Sequence, residues 1–213
     1  MENILDYVKE KWKQLTAFSK KEEIKDQLWT EIVYRYSEQH RHYHNLTHIA
    51  FLYDLCDKYI DRISNPAVTG FAILYHDIVY DTYRPDNEEQ SAELAEIHLK
   101  QLNVNSSLVQ NVKTFILATK YHKLPQGYTL ANDLGLFLDF DIAILATQPE
   151  TYQLYSEKIR QEYMKYPDNI YKEGRKQALQ KVLESGKIFN TDDFVELMEV
   201  TARQNITREV EQL

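Results

Sequence analysis

The chain has 213 residues, 43% hydrophobic and 27% charged, with a formal net charge of −8, which excludes wholesale disorder and allows a sizeable core. Five glycines and five prolines are under half the usual share of about 12%. That counts against an all-β sandwich or barrel, whose tight turns need such residues, and the acidic balance counts against a binder of polymeric nucleic acid, which needs a basic face.

Residues 1–15 read as a charged opening helix without an apolar signal-peptide region. A second helix is expected over 22–39, with Ser19 as N-cap and Glu22 three residues on. Helix 46–61 follows from the stripe Ile49, Leu52, Tyr53, Cys56 and Tyr59, and helix 66–79 from Val68, Phe71, Ala72, Tyr75, Ile78 and Val79. Helices 87–102 and 106–121 come next, the latter striped by Val112, Phe115, Ile116 and Thr119. The connection 122–132 contains Pro125 and Gly127 and is expected to border a site. Helices 133–146, 149–165, 168–184 and 191–211, the last with a break, complete the chain. Proline-bearing breaks at 64–66, 84–86, 124–127, 148–149 and 166–168 separate these elements. The expectation is an all-α fold of about ten helices. No stretch approaches 18 apolar residues, so no membrane span is expected. A single cysteine, Cys56, excludes an intramolecular disulfide and fits a reducing compartment, so a cytoplasmic protein is expected. Cys56 lies on an apolar stripe and reads as core.

There is no glycine-rich phosphate loop, no nucleophile elbow and no C-x-x-C. Histidine is the informative residue. Four of the seven fall in HRHYHNLTH, as His40, His42, His44 and His48. His44 and His48 are four apart and would share a face of a helix starting near Asn45, which suits a proton donor and a metal ligand at one centre. His40 and His42 read as surface residues, and His98 as structural. His76-Asp77 ends an apolar helix, where imidazole and carboxylate suit Zn, Fe, Mn, Ni or Co. Asp139 and Asp141 lie in the apolar window DLGLFLDFDIAILA. A buried ionised carboxylate there needs a cation or strong donors. Metal ligation by Asp141 is one solution, and an exposed Asp beside a capping or ion-paired one is the other.

Together these residues resemble the HD superfamily of metal-dependent phosphohydrolases, in which a His, a later His-Asp pair and a still later Asp hold the metal. The segment Tyr43-His44-Asn45-x-x-His48 is similar to the first motif of the cyclic-nucleotide phosphodiesterases of that superfamily. The segments RHYHNLTHI, YHDIVYD, NEEQSA, TKYH, DFDIAIL, YSEKIRQEY and EGRKQAL resemble a bacterial group described only as predicted HD phosphohydrolases, covering about residues 25–190. The resemblance implies His48, His76, Asp77 and Asp141 as ligands of a divalent ion (Mn, Fe, Ni, Co, Zn or Mg). It implies His44 as the acid towards the leaving oxygen, with Asp77 positioning or deprotonating water. Glu88 is expected to bond a metal water or act as base. Many dinuclear relatives carry a His where this chain has Asn87, so one ion per chain is expected.

The expected domain is 1–213, with a metal-binding core at about 25–165 and helices 166–213 packing on it. Arg41, Lys120, His122, Arg160 and Arg175 are the candidates for contacts to a small phosphorylated substrate, most readily a nucleotide, although each also reads as a surface charge, an ion pair or, for His122, a helix-end residue. Homo-oligomerisation stays open. The alternatives are a non-catalytic metal- or nucleotide-binding module and a di-iron oxygenase, the latter needing a second histidine-rich site.

Overall fold

The computed structural model describes residues 4–213. Its helices are α1 (Ile4–Leu15), α2 (Glu22–Tyr36), α3 (Leu46–Lys58), α4 (Pro66–Tyr75), α5 (Asn87–Gln101), α6 (Ser106–Ala118), α7 (Ala131–Ile142), α8 (Pro149–Glu162), α9 (Asp168–Glu184) and α10 (Asp192–Gln212). Short 3-10 turns follow α3 at Ile60–Arg62 and α7 at Ala143–Ala146. No strand occurs among the described residues, and no helix is long and apolar enough to cross a membrane.

The chain divides into two compact units, the first ending at Phe137 and the second spanning Leu138–Leu213. The division falls within α7. The physical reason is the partnership of α8, which packs with the Ala143–Ala146 turn, itself packed on α10.

The first unit is built on α4. Every residue from Val68 to Tyr75 is buried, the mark of a helix covered on all sides. Helices α1, α3, α5 and α6 pack against it. Asn65 caps its N-terminus by accepting from the Val68 amide, and Pro66 takes the first turn, where its missing N–H costs nothing. The buried Asp133 carboxylate accepts from the Ser64 and Asn65 amides at 3.0 and 2.7 Å, tying the start of α7 to the entry of α4. Gly70 allows the end of α1 to approach: a Cβ there would lie 2.7 Å from Leu15 Cδ2. The expected Ser19 cap is not formed. Lys21 occupies the N-cap position of α2 without a side-chain bond, and the Ser19 hydroxyl accepts from the Lys21 amide.

The second unit closes around α10, which runs unbroken for 21 residues, without the expected interruption. Phe140, Phe189 and Phe194 form an aromatic core there. The Glu209 carboxylate accepts from Tyr152 Oη, Ser156 Oγ and the Arg175 fork. The Asn205 amide donates to the Leu145 and Thr147 carbonyls at the end of the 3-10 turn. Arg160 donates to Asp168 and to the Tyr163 and Tyr166 carbonyls and lies over the Tyr171 ring. Arg160 and Arg175, named from the sequence as candidate phosphate contacts, are here engaged in ion pairs. Their guanidinium groups join α8, α9 and α10: Arg160 donates to carbonyls at the end of α8, and Arg175 neutralises the buried Glu209 carboxylate.

Candidate metal centre

The site starts with how α3 begins. Asn45 is its N-cap, accepting from the Thr47 amide. The Asn45 side-chain amide donates to the His42 carbonyl at 3.1 Å, folding the preceding loop back on itself. His48 is the third helical residue and is buried. His44 lies before the cap, so the shared helical face expected for His44 and His48 does not exist. A turn brings them together instead, with ring centroids 5.8 Å apart.

The second contribution is the end of α4, which stops at Tyr75, four residues short of the expected Val79. The last carbonyls of a helix have no partners within it and must find others. Here Ile73 O accepts from the His76 ring Nδ1 at 3.0 Å, Leu74 O from the Tyr36 hydroxyl at 2.9 Å, and Tyr75 O from the Ile78 amide. Asp77 O and Ile78 O accept from Arg41. Beyond them, Ser91 Oγ bonds the Val79 amide, and the Tyr80 carbonyl pairs with His40 Nε2. The Asn87 side chain bonds both the amide and the carbonyl of Asp81. The turn carrying His76 and Asp77 is thereby fixed almost wholly by side chains from elsewhere in the first unit.

His48, His76, Asp77 and Asp141 each present one ligand-type atom, and these atoms lie within 4.8 Å of one another. His48 Nε2 and His76 Nε2 are 3.3 Å apart, and Asp77 Oδ2 lies 3.0 Å from His76 Nε2 and 3.7 Å from His48 Nε2. Both imidazoles are buried, while Asp77 keeps 21% of its side chain exposed, so the group is reachable from solvent. The donor set fits one divalent ion. A carbonyl can only accept, so His76 Nδ1 carries the proton and its Nε2 presents a lone pair to the cluster. Metal-binding histidines are oriented by the same bond. The 3.3 Å nitrogen separation also suits two ligands about 2.0–2.1 Å from a common ion. Two imidazoles and two carboxylates suit Zn, Mn, Fe, Co or Ni.

His44 stands beside this group, stacked on Tyr80 with centroids 4.2 Å apart and in edge contact with Tyr43. Glu88 is half-buried at the start of α5, and Lys120 Nζ is 3.7 Å from its carboxylate. Lys120 also donates to Glu89 and to the Pro85 carbonyl. Its pKa is raised by the Glu89 hydrogen bond, against a smaller effect of desolvation. Lys120, a candidate phosphate contact from the sequence, here forms an ion pair that joins the end of α6 to α5. Arg41, also a candidate phosphate contact from the sequence, has a fully buried side chain with bonds to Glu38 and to three carbonyls. His122 is half-buried in a left-handed conformation, φ 48°, just beyond α6.

Asp139, two residues before Asp141, is fully buried and takes the other expected solution. Its carboxylate accepts from the amides and side chains of Asn190 and Thr191, ahead of α10. Burial pushes its pKa up, and these four donors hold it back. His98 is structural, with Nδ1 at the Tyr75 hydroxyl and Nε2 3.3 Å from Glu31. Burial pushes the Cys56 thiol up to about 12, which removes it from nucleophilic chemistry. The residues that sequence reasoning missed are those bonding the 76–81 segment: Tyr36, His40, Asn87 as a strut, and Ser91. Nothing in the sequence marks them for this duty, because each acts on a backbone group whose position only the folded turn defines.

No protein-family model, curated protein or solved structure matches the chain.

Proposed function

We propose that the protein is a metal-dependent phosphohydrolase of the HD type, cleaving a phosphomonoester or phosphodiester of a small substrate, most readily a nucleotide. The observation that supports it is the convergence of two imidazoles and two carboxylates beside a further imidazole, His44. A divalent ion held by His48, His76, Asp77 and Asp141 supplies Lewis acidity and lowers the pKa of bound water towards neutrality. His76 keeps its Nε2 lone pair inward through the bond to Ile73 O. Asp77, partly open to solvent, orients the attacking water and accepts its proton. His44 gives a proton to the leaving oxygen, a role worth roughly 10²–10⁴-fold. Glu88, half-buried at the start of α5, is assigned the bonding of a metal water or the role of base. The di-iron alternative needs a further imidazole at position 87, where the Asn87 side chain is bonded to Asp81.

The test is turnover of a panel of nucleotides and phosphoesters by protein loaded with Mn, Zn, Co, Ni or Fe. His44→Ala is expected to keep its metal and fold and to lose roughly 10²–10⁴-fold in turnover, less with an activated leaving group that needs no proton. Loss of metal in His44→Ala would make His44 a ligand and overturn its role. Absence of turnover on every ester, with metal bound, would favour the binding module.

A further inference from the structure

Arg41 is buried beside the site and bonded to a carboxylate and to three carbonyls. Its Nη1 donates to the carbonyls of Asp77 at 2.6 Å and His44 at 3.1 Å, its Nη2 to Ile78 O at 3.0 Å, and its Nε to Glu38 at 2.9 Å. The guanidinium lies between two rings, 5.1 Å from the centroid of Tyr36 and 5.5 Å from that of Tyr80. Tyr36 bonds the Leu74 carbonyl at the end of α4, and Tyr80 stacks on the His44 imidazole. One buried cation thus touches the backbone of the proposed proton donor, the backbone of a metal ligand, and the ring against which the donor rests.

We infer that Arg41 is a positioning residue that fixes the His44 imidazole relative to the ligands His48, His76 and Asp77 and makes no contact with substrate. The inference rests on the reading of His44 as the proton donor. Two independent routes reach His44, one through its carbonyl and one through the Tyr80 ring. Only arginine suits the place. Its planar fork carries five donors in fixed directions, whereas a lysine ammonium cannot span acceptors on the loop before α3 and on the turn after α4 together. Glu38 balances the buried charge, so the guanidinium is stable there without an anion from outside.

A residue that only stabilised the fold would lower the melting temperature and leave the chemistry of the folded protein unchanged. A residue that positions the acid affects substrates according to their need for a proton. The experiment compares Arg41→Lys and Tyr80→Leu with wild type, loaded with Mn, on two aryl phosphoesters: a nitrophenyl ester and an unactivated phenyl ester. Tyr80→Leu removes the stack and leaves the Arg41 hydrogen bonds in place, so the test survives if Arg41→Lys fails to fold. Both variants are expected to bind metal as wild type does. Misplacing a reacting group by about 1 Å costs roughly 10²-fold, so kcat on the phenyl ester should fall by about that factor. On the nitrophenyl ester it should fall by only a small factor, with KM unchanged on both. A raised KM with kcat retained would make Arg41 a substrate contact and overturn the inference, as would equal kcat losses on both esters. If metal-loaded wild type cleaves neither ester, the phosphohydrolase reading falls on its own. The positioning claim is then read from the His44 ring resonances, which should lose the Tyr80 ring-current shift in Arg41→Lys. Unchanged His44 resonances would overturn it.

Discussion

Two groups of buried polar side chains invite comparison. Around Glu209, in the second unit, a carboxylate meets a guanidinium fork and two hydroxyls. Both carboxylate oxygens are bonded, and anion and cation balance. Around His76 the members are alike: two imidazoles and two carboxylates, all of ligand chemistry, gathered within 4.8 Å. The first group is complete in itself and ties helices together. The second gathers side chains of one chemistry around a shared centre, which is the arrangement that a cation rewards. Burial and charge count alone would not separate them; complementarity of the members does.

That contrast can be broken most severely from the Glu209 side. Arg175→Met leaves a buried carboxylate without its cation, and a broken buried pair costs about 3–5 kcal/mol. Calorimetry should show this loss while metal content stays at the wild-type value. Metal loss in Arg175→Met would join two groups that the comparison holds apart.

Next in size is the response of the His76 group to its ion. Elemental analysis should find about one transition metal per chain, lost in His76→Ala. Ligand at a hundredfold excess over its Kd stabilises by about 2.7 kcal/mol, or roughly 5–10 °C in a chain of this length, and chelation should reverse that gain. Asp141→Asn weakens the donor set and also relieves crowding of negative charge in the metal-free protein, so its chelator shift should be much smaller. An equal shift with unchanged metal content would remove Asp141 from the ligands.

Asp139→Asn sharpens the comparison inside one helix. It removes acceptor capacity from the Asn190–Thr191 turn and should cost about 1–3 kcal/mol, with bound metal retained. Metal loss in this variant would mean that the two carboxylates of α7 are not divided between cap and ligand.

The smallest effect is a pH slope. Burial alone would raise the Glu209 pKa, but the Arg175 hydrogen bond and charge, with the Tyr152 and Ser156 hydroxyls, outweigh it and hold the carboxyl below its ordinary 4.5. A depressed folded pKa means that the unfolded chain binds the proton first. The stability due to Glu209 is therefore present above about pH 4.5 and lost as pH falls through the lower, folded value. Melting temperature followed from pH 6 downwards should fall less steeply in Glu209→Gln than in wild type, from whatever starting value that variant has. Parallel curves would show that Glu209 is not held in its charged form by the fold.

Much of this was legible in the residues themselves. Apolar stripes at three- and four-residue steps marked helices whose positions match the expected ones, because periodicity is a local property of the chain. His48, His76, Asp77 and Asp141 were nominated as a set by the resemblance of their segments to a known metal-binding pattern. Other features were decided by partners distant in sequence. The end of α4 at Tyr75 and the turn after it are held by Tyr36, which takes the Leu74 carbonyl, and by Arg41, which takes those of Asp77 and Ile78. His44 reaches His48 across a capped turn because Asn45 stops the helix one residue short of it. The arginines that composition offered to a phosphate are bound to carbonyls and carboxylates, since an unpaired charge that folding buries must find a partner. Asp139 and Asp141 carry the same side chain two positions apart. The sequence alone could state that both need compensation in so apolar a helix. The resemblance already assigned Asp141 to the metal, but only the tertiary structure gave Asp139 to the Asn190–Thr191 turn, because those donors come from a segment that only folding brings near.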